Sequence, residues 1–301
     1  MIHKKLFIEK YRPKSLTEVI SNEEVDSLYK LIKEKPWDLP NLILSTRSAG
    51  TGKTSIAKAI INDLETDYLF LNASDDRGIN TIRDKVKEFA MTQGFNCNAP
   101  KIVHLDEADG LTKDAQESLR GIIEQYSSNC RFIFTCNNDS KIIDPIKSRC
   151  IQINLNNPPK NKILNHIKNI NKIEEINLTD KEIEEICDTL YPDIRSMLNA
   201  LESRKYLGKI DIKSYDKEIY ELIKKLKFTE ARKLWIEQQI SPRILIKSIY
   251  NRIILDDNIE KQRTIRAVEI IAESDYRITM GADAEITLAN LAFQLINDVF
   301  K

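Results

Sequence analysis

The segment Leu42-Ile43-Leu44-Ser45-Thr46-Arg47-Ser48-Ala49-Gly50-Thr51-Gly52-Lys53-Thr54-Ser55 constrains this chain more than any other. A short apolar run enters a glycine-bearing loop, and a helical pattern (Ile56, Ile60, Ile61, Leu64) leaves it. Strand, loop and helix in that order form the setting in which backbone N–H groups converge on a phosphate. Glycines at 50 and 52 let the backbone curl around an anion, and the helix start adds the positive end of its dipole. Lys53 is expected to reach the terminal phosphates and Thr54 to offer its hydroxyl to Mg2+, with Thr51 and Ser55 beside them. The strict pattern G-x-x-x-x-G-K-[ST] is broken at its first position, where Arg47 replaces glycine.

A second constellation follows. Lys101-Ile102-Val103-His104-Leu105 runs into Asp106-Glu107-Ala108-Asp109. Acidic residues leaving a buried strand lie at the carboxyl edge of a parallel sheet, where open α/β folds bind ligands. Asp106 is expected to hold Mg2+, directly or through water. Glu107 is expected to polarise an attacking water as general base. His104, inside the apolar run, reads as a core histidine. Together the two segments supply both halves of a metal–triphosphate site.

The runs Tyr68 to Leu71, Ile102 to Leu105, Phe132 to Cys136 and Ile151 to Leu155 resemble Leu42-Ile43-Leu44 in length and are mostly unbroken by polar residues. Such runs separated by helical patterns predict a parallel sheet covered on both faces by helices. The breaker cluster Asn156-Asn157-Pro158-Pro159 ends the α/β region. Helical periodicity then continues to the end, with a capping box at Thr179-Asp180-Lys181-Glu182 and a polar bend near Gly208 to Ser214. The expected domains are an α/β domain over 1–155, a small helical lid over 156–213 and an all-helical domain over 214–301.

Composition narrows the class. Lys+Arg and Asp+Glu are both 46, so any nucleic-acid contact must come from a local patch rather than a global positive field. No apolar stretch approaches the roughly 18–20 residues of a membrane span, and the opening residues lack the apolar core of a signal peptide. Five cysteines without metal-ligand spacing read as reduced thiols, and three scattered histidines argue against a histidine metal site.

Further motifs give the chain a resemblance. Glu9-Lys10-Tyr11-Arg12-Pro13-Lys14, Leu71-Asn72-Ala73-Ser74-Asp75-Asp76-Arg77-Gly78-Ile79, Phe132 to Asn138, and Ile142 to Cys150 with Ser148-Arg149-Cys150 together resemble the clamp-loader ATPases of the AAA+ class, replication factor C small-subunit type. Pro192-Asp193-Ile194-Arg195 stands where that family has its sensor 2 arginine. The tail around Gly281-Ala282-Asp283-Ala284-Glu285, like the missing loop glycine, is more similar to the T4-type bacteriophage large subunit. Asp106-Glu107-Ala108-Asp109 is more similar to cellular members.

The resemblance implies an AAA+ P-loop domain, a helical lid and a C-terminal helical collar through which subunits assemble. It implies ATP with Mg2+ as cofactor. The expected partners are the other subunits of a five-subunit ring, including copies of this chain and a nonidentical subunit, together with a sliding clamp and primer–template DNA. Asn137 is expected to orient the water or the terminal phosphate. Arg149 is expected to enter the neighbouring subunit's site as an arginine finger, and Arg195 to touch the terminal phosphate from the lid. Ile8, Glu9, Lys10, Tyr11 and Ile20 are expected around the base, and Arg77, Arg83 and Lys87 on template phosphates. The chain is expected in the cytoplasm, of an infected host cell if the phage likeness holds, and away from membranes.

Two other classes compete: another AAA+ replication or recombination machine such as a branch-migration motor, and a nucleotide-binding clamp-loader subunit without catalysis. The first should lack the Ala73 to Ile79 box and Ser148-Arg149-Cys150. The second should have lost Lys53, Thr54, Glu107 or Arg149.

Overall fold

The computed structural model describes residues 5–20, 23–46, 48, 50–73, 79–94, 98–208, 215–237 and 240–301. Arg47 and Arg77 therefore lie outside the described residues. The chain divides into two compact units, Met1–Asp211 and Ile212–Lys301.

The first unit is built on five parallel strands: β1 (Leu42–Ser45), β2 (Tyr68–Asn72), β3 (Lys101–Asp106), β4 (Cys130–Cys136) and β5 (Ile151–Asn154), in the spatial order β2-β3-β4-β1-β5. All strands point the same way, so their carboxyl ends share one edge, and the loops that leave that edge meet. Side chains alternate across the sheet. Ile43, Val103, Phe132 and Phe134 pack on one face under helices Ile79–Met91 and Lys113–Gln125. Leu42, Leu44, Ile102 and Ile133 pack on the other under helices Glu23–Glu34 and Lys53–Leu64. Full burial of one such aliphatic side chain contributes ~1.5–3 kcal/mol, so each face fixes the register of β1, β3 and β4.

Complete coverage fails at the sheet's margins. Tyr68 is 56% exposed, Phe70 40% and Ile151 54%. An edge strand has a neighbour on one side only, and long side chains do part of the covering there: the Lys58 ammonium lies 5.4 Å from the Phe70 ring centroid.

Helices Lys160–Ile173, Asp180–Leu190 and Ile194–Leu207, which make up the segment expected to be the lid, fall within this same unit. The capping box forms: Thr179 N donates to Glu182 Oε2 at 2.8 Å, and Glu182 N to Thr179 Oγ1 at 3.3 Å.

The second unit is helical throughout its described residues: Tyr215–Lys224, Phe228–Glu237, Pro242–Ile254, Lys261–Thr279 and Ala284–Leu295, with a closing turn over Ile296–Phe300. Ile219, Ile223, Leu245, Ile249, Leu291 and Leu295 form its core. Leu226 lies outside the core of this unit. It follows the helix end with φ 62° and is 46% exposed, because the left-handed turn that closes the helix carries its side chain outward.

Candidate functional site

The loop that leaves β1 is shaped by its glycines. Gly50 has φ 71° and Gly52 φ 99°, both in the left-handed region that side chains resist. Gly52 directly precedes helix Lys53–Leu64. Gly50 has a second reason to be glycine: a Cβ there would sit 1.8 Å from Asp193 Oδ1. Asp193 itself accepts from Ser196 N at 3.0 Å and so caps helix Ile194–Leu207. Lys53 Nζ donates to Ser48 O at 3.3 Å and to Asn137 Oδ1 at 2.8 Å. Burial pulls the Lys53 ammonium's pKa below its ordinary value, while nearby acidic groups, Asp106 and Asp109 among them, oppose the drop.

β3 delivers Asp106 to the same edge. Its carboxylate accepts from Thr54 Oγ1 at 2.9 and 3.0 Å and from the Thr135 hydroxyl. A threonine hydroxyl beside a carboxylate offers only hard oxygen donors, the set Mg2+ takes when phosphate oxygens and water complete its octahedron. The residues thus fit the ion. Among the described residues no group of three or more His, Cys, Asp and Glu side chains forms an all-protein metal cage. Thr135 is a site residue that the sequence reading missed. The register that sets Leu105 opposite Phe134 puts Thr135 alongside Asp106.

Glu107 follows with φ 53° and ψ 41°, a left-handed conformation for a residue with a side chain. Such backbone costs on the order of 1 kcal/mol and persists where the surroundings impose it. Glu107 lines the cavity that Gly50, Thr51, Gly52, Lys53, Thr54 and Ser55 floor, which measures about 190 Å³.

Ile8, Tyr11 and Ile20 also line that cavity, with Arg12, Val19 and His166. Asp63, on the loop helix, steadies this rim by accepting from Leu16 N at 2.8 Å and Ser15 Oγ at 3.2 Å. Glu9 and Lys10 are not among the residues that line the cavity. They lie in the short helix Phe7–Lys10, and the turn that points Ile8 and Tyr11 inward points these two elsewhere. Glu9 pairs with Arg12 at 2.8 Å and Lys10 with Glu174.

Arg195 is exposed on the cavity rim, beside Ile194 and Leu198 of the same helix. Arg149 does not line this chain's cavity. Its guanidinium pairs with Glu124 and donates to Pro145 O at 2.6 Å, and the side chain is 29% exposed. Arg83 and Lys87 are exposed on helix Ile79–Met91. His104 is fully buried, and neither ring nitrogen has a hydrogen-bond partner in the structure. Burial outweighs the attraction of Asp106 and holds its pKa down to about 4, so the ring stays neutral, a core histidine packed edge-on to Phe70 at 5.2 Å.

Two family models and a set of relatives match this chain. The family "ATPase family associated with various cellular activities" matches residues 43–157, and "Replication factor C C-terminal domain" matches residues 178–294. The replication factor C small subunit of Saccharolobus solfataricus is 38% identical over 95% of this chain and 92% of its own length. That of Archaeoglobus fulgidus is 35% identical over 96% of this chain and 96% of its own. Among solved structures, the Thermotoga maritima RuvB Holliday junction branch migration motor superposes with a TM-score of 0.58 at 18% identity, covering 95% of this chain and 90% of that one, a likeness of fold.

Proposed function

The chain belongs to the replication factor C small-subunit family of AAA+ ATPases, and from that premise we propose how its residues divide the work of a clamp-loader ATPase in DNA replication. The reaction is attack of water on the terminal phosphorus of ATP, giving ADP and phosphate. The loop amides after β1 cradle the phosphates, and Lys53 neutralises the terminal ones. Thr54 and Asp106 would hold Mg2+, which would supply charge neutralisation on the phosphate oxygens. Glu107 orients the water and takes its proton. Asn137 places the terminal phosphate against it, and Arg195 senses the same group from the rim.

Ile8, Tyr11 and Ile20 enclose the base. Arg149 acts on the site of the adjacent subunit, where a guanidinium stabilises charge as the phosphoryl group departs. Arg83 and Lys87 lie on a helix face suited to phosphate contacts that carry no base information, and Arg77 is assigned the same role from its motif alone. The five-subunit ring, the sliding clamp and primer–template DNA complete the assembly in this reading. Residues 1–155, 156–213 and 214–301 take the roles of motor, lid and collar. Relatives in archaea support the small-subunit assignment over the T4-type phage reading, which rests on the tail near Gly281 and the loop arginine alone. No helix among the described residues is long and apolar enough to cross a membrane.

The convergence of Lys53 with Asn137 and of Thr54 with Asp106 at one sheet edge carries the proposal. Replacing Lys53 with Ala should abolish ATP binding and hydrolysis by the purified assembly. A Lys53→Ala assembly that still hydrolyses ATP at the wild-type rate would refute it.

A further inference from the structure

Glu174 ends helix Lys160–Ile173, its N–H donating to Ile170 O at 2.9 Å. Its side chain is only 6% exposed, yet it carries a carboxylate. Three groups from two other segments converge on it. Lys10 Nζ and the Tyr11 hydroxyl bind Oε1, and Lys205 Nζ binds Oε2 at 2.5 Å. A buried carboxylate that lost these partners would be strongly destabilising, so its position dictates theirs.

The three segments share a second property. The N-terminal segment contributes Ile8 and Tyr11 to the wall of the cavity, helix Lys160–Ile173 contributes His166, and helix Ile194–Leu207 contributes Arg195 and Leu198. Further contacts reinforce the same junction. Phe7 N donates to Glu202 Oε1 at 3.3 Å, and the Phe7 ring packs edge-on to Tyr206 at 6.3 Å. These partners are far apart in the chain and meet only at this carboxylate and its surroundings.

We propose that Glu174 is a positioning residue for the nucleotide: by holding Lys10, Tyr11 and Lys205 together it sets the closure of the base end of the cavity, and so the affinity and residence time of ATP. Tyr11 transmits the effect most directly, because its hydroxyl is held by Glu174 while the same residue lines the cavity. Among the described residues the Glu174 side chain bonds to none that is assigned to phosphate, so its influence falls on the base end. The carboxylate remains ionised throughout the neutral range. Burial alone would raise its pKa, but the bonds from Lys10, Lys205 and Tyr11 outweigh burial and hold it at about 2.

The inference rests on the reading of the cavity as an ATP site, and the test separates the two. Full-length wild type, Glu174→Ala, Glu174→Gln and Tyr11→Phe are compared for binding of ATP and of inorganic tripolyphosphate, with Lys53→Ala as reference. Glu174→Ala should weaken ATP binding roughly tenfold through faster dissociation, with tripolyphosphate affinity unchanged. Glu174→Gln, which keeps the shape and one acceptor, should fall between, and Tyr11→Phe should show part of the loss. In the assembled ATPase the two Glu174 variants should raise KM and leave kcat at saturating ATP within about twofold.

Unchanged ATP affinity and dissociation in a folded Glu174→Ala or Glu174→Gln chain overturns the inference, as does equal weakening of ATP and tripolyphosphate. Should Glu174→Ala fail to fold, Glu174→Gln and Tyr11→Phe decide alone. If wild type binds neither ligand, or Lys53→Ala binds both normally, the reading of the cavity fails rather than the role of Glu174.

Discussion

The Lys53 ammonium donates to Asn137 Oδ1 across 2.8 Å, joining the helix start after β1 to the end of β4. Two polar groups that a triphosphate would engage are thus held at one point by the protein itself. Replacing Asn137 with Ala leaves the loop amides and Lys53 in place to bind phosphate, and removes a group that acts on the terminal one. We expect kcat to fall on the order of 10–100-fold, with KM for ATP changed less than about threefold, in steady-state ATPase measurements on the assembled complex. A KM effect that exceeded the kcat effect would assign Asn137 to binding instead.

Arg149 is held by Glu124 and by the carbonyl of Pro145 in the isolated chain. The hydrogen bond from Arg149 lowers the Glu124 pKa below its ordinary value. Arg149→Ala should reduce hydrolysis in the assembly on the order of 10³-fold while ATP still binds, the loss typical of an arginine finger. Glu124→Ala removes only an exposed ion pair and should retain most of the activity. Mixed assemblies would locate the defect: a wild-type site next to an Arg149→Ala subunit should fail, and the site within that subunit should work.

Gly50 and Gly52 should fail differently. Gly52→Ala introduces a side chain into open space at φ 99°, so the cost is conformational, about 1 kcal/mol of stability. Gly50→Ala adds a collision with Asp193, whose carboxylate must move and release the cap on Ser196 N. Its cost should be the larger, about 1–3 kcal/mol, and adding Asp193→Ser should recover part of it. Urea midpoints of the two variants and the double variant check both statements.

Acid should reveal the Glu174 junction. Its carboxyl, ordinarily near 4.5, is held at about 2 in the fold, against the effect of burial, by Lys10, Lys205 and Tyr11. A carboxyl lowered in the folded state lends stability above its unfolded pKa and loses it as pH falls through the folded one. Wild type should therefore shed this contribution between about pH 4.5 and about pH 2. Glu174→Gln should be less stable at neutral pH and approach wild type at the acid end. Melting curves of both that remained parallel across that interval would contradict the assignment.

Much of the first unit is legible in the residues because burial on both faces leaves apolar runs: β1, β3 and β4 appear directly in Leu42 to Leu44, Ile102 to Leu105 and Phe132 to Cys136. The phosphate loop is legible because glycine, lysine and threonine must follow one another where strand meets helix. What escaped depends on distance along the chain. Thr135 hides inside an apolar run, and only the pairing of β3 with β4 brings it to Asp106. The second constraint on Gly50 comes from Asp193, and the partners of Glu174 come from the N-terminal segment and a distant helix. Glu9 and Lys10 share a motif with Ile8 and Tyr11 but not their place in the cavity lining, because the direction of a single helical turn decides which side chains face inward. Exposure of Tyr68, Phe70 and Ile151 follows from strand order, which no local pattern records.

The left-handed backbone at Glu107 also restricts how this active centre can decay over evolutionary time. Asparagine, aspartate and glycine settle into that twist with little penalty, whereas branched side chains do not. A variant that gives up the Glu107 carboxylate should therefore keep its fold best with Asn or Gly in that place and worst with Val or Ile.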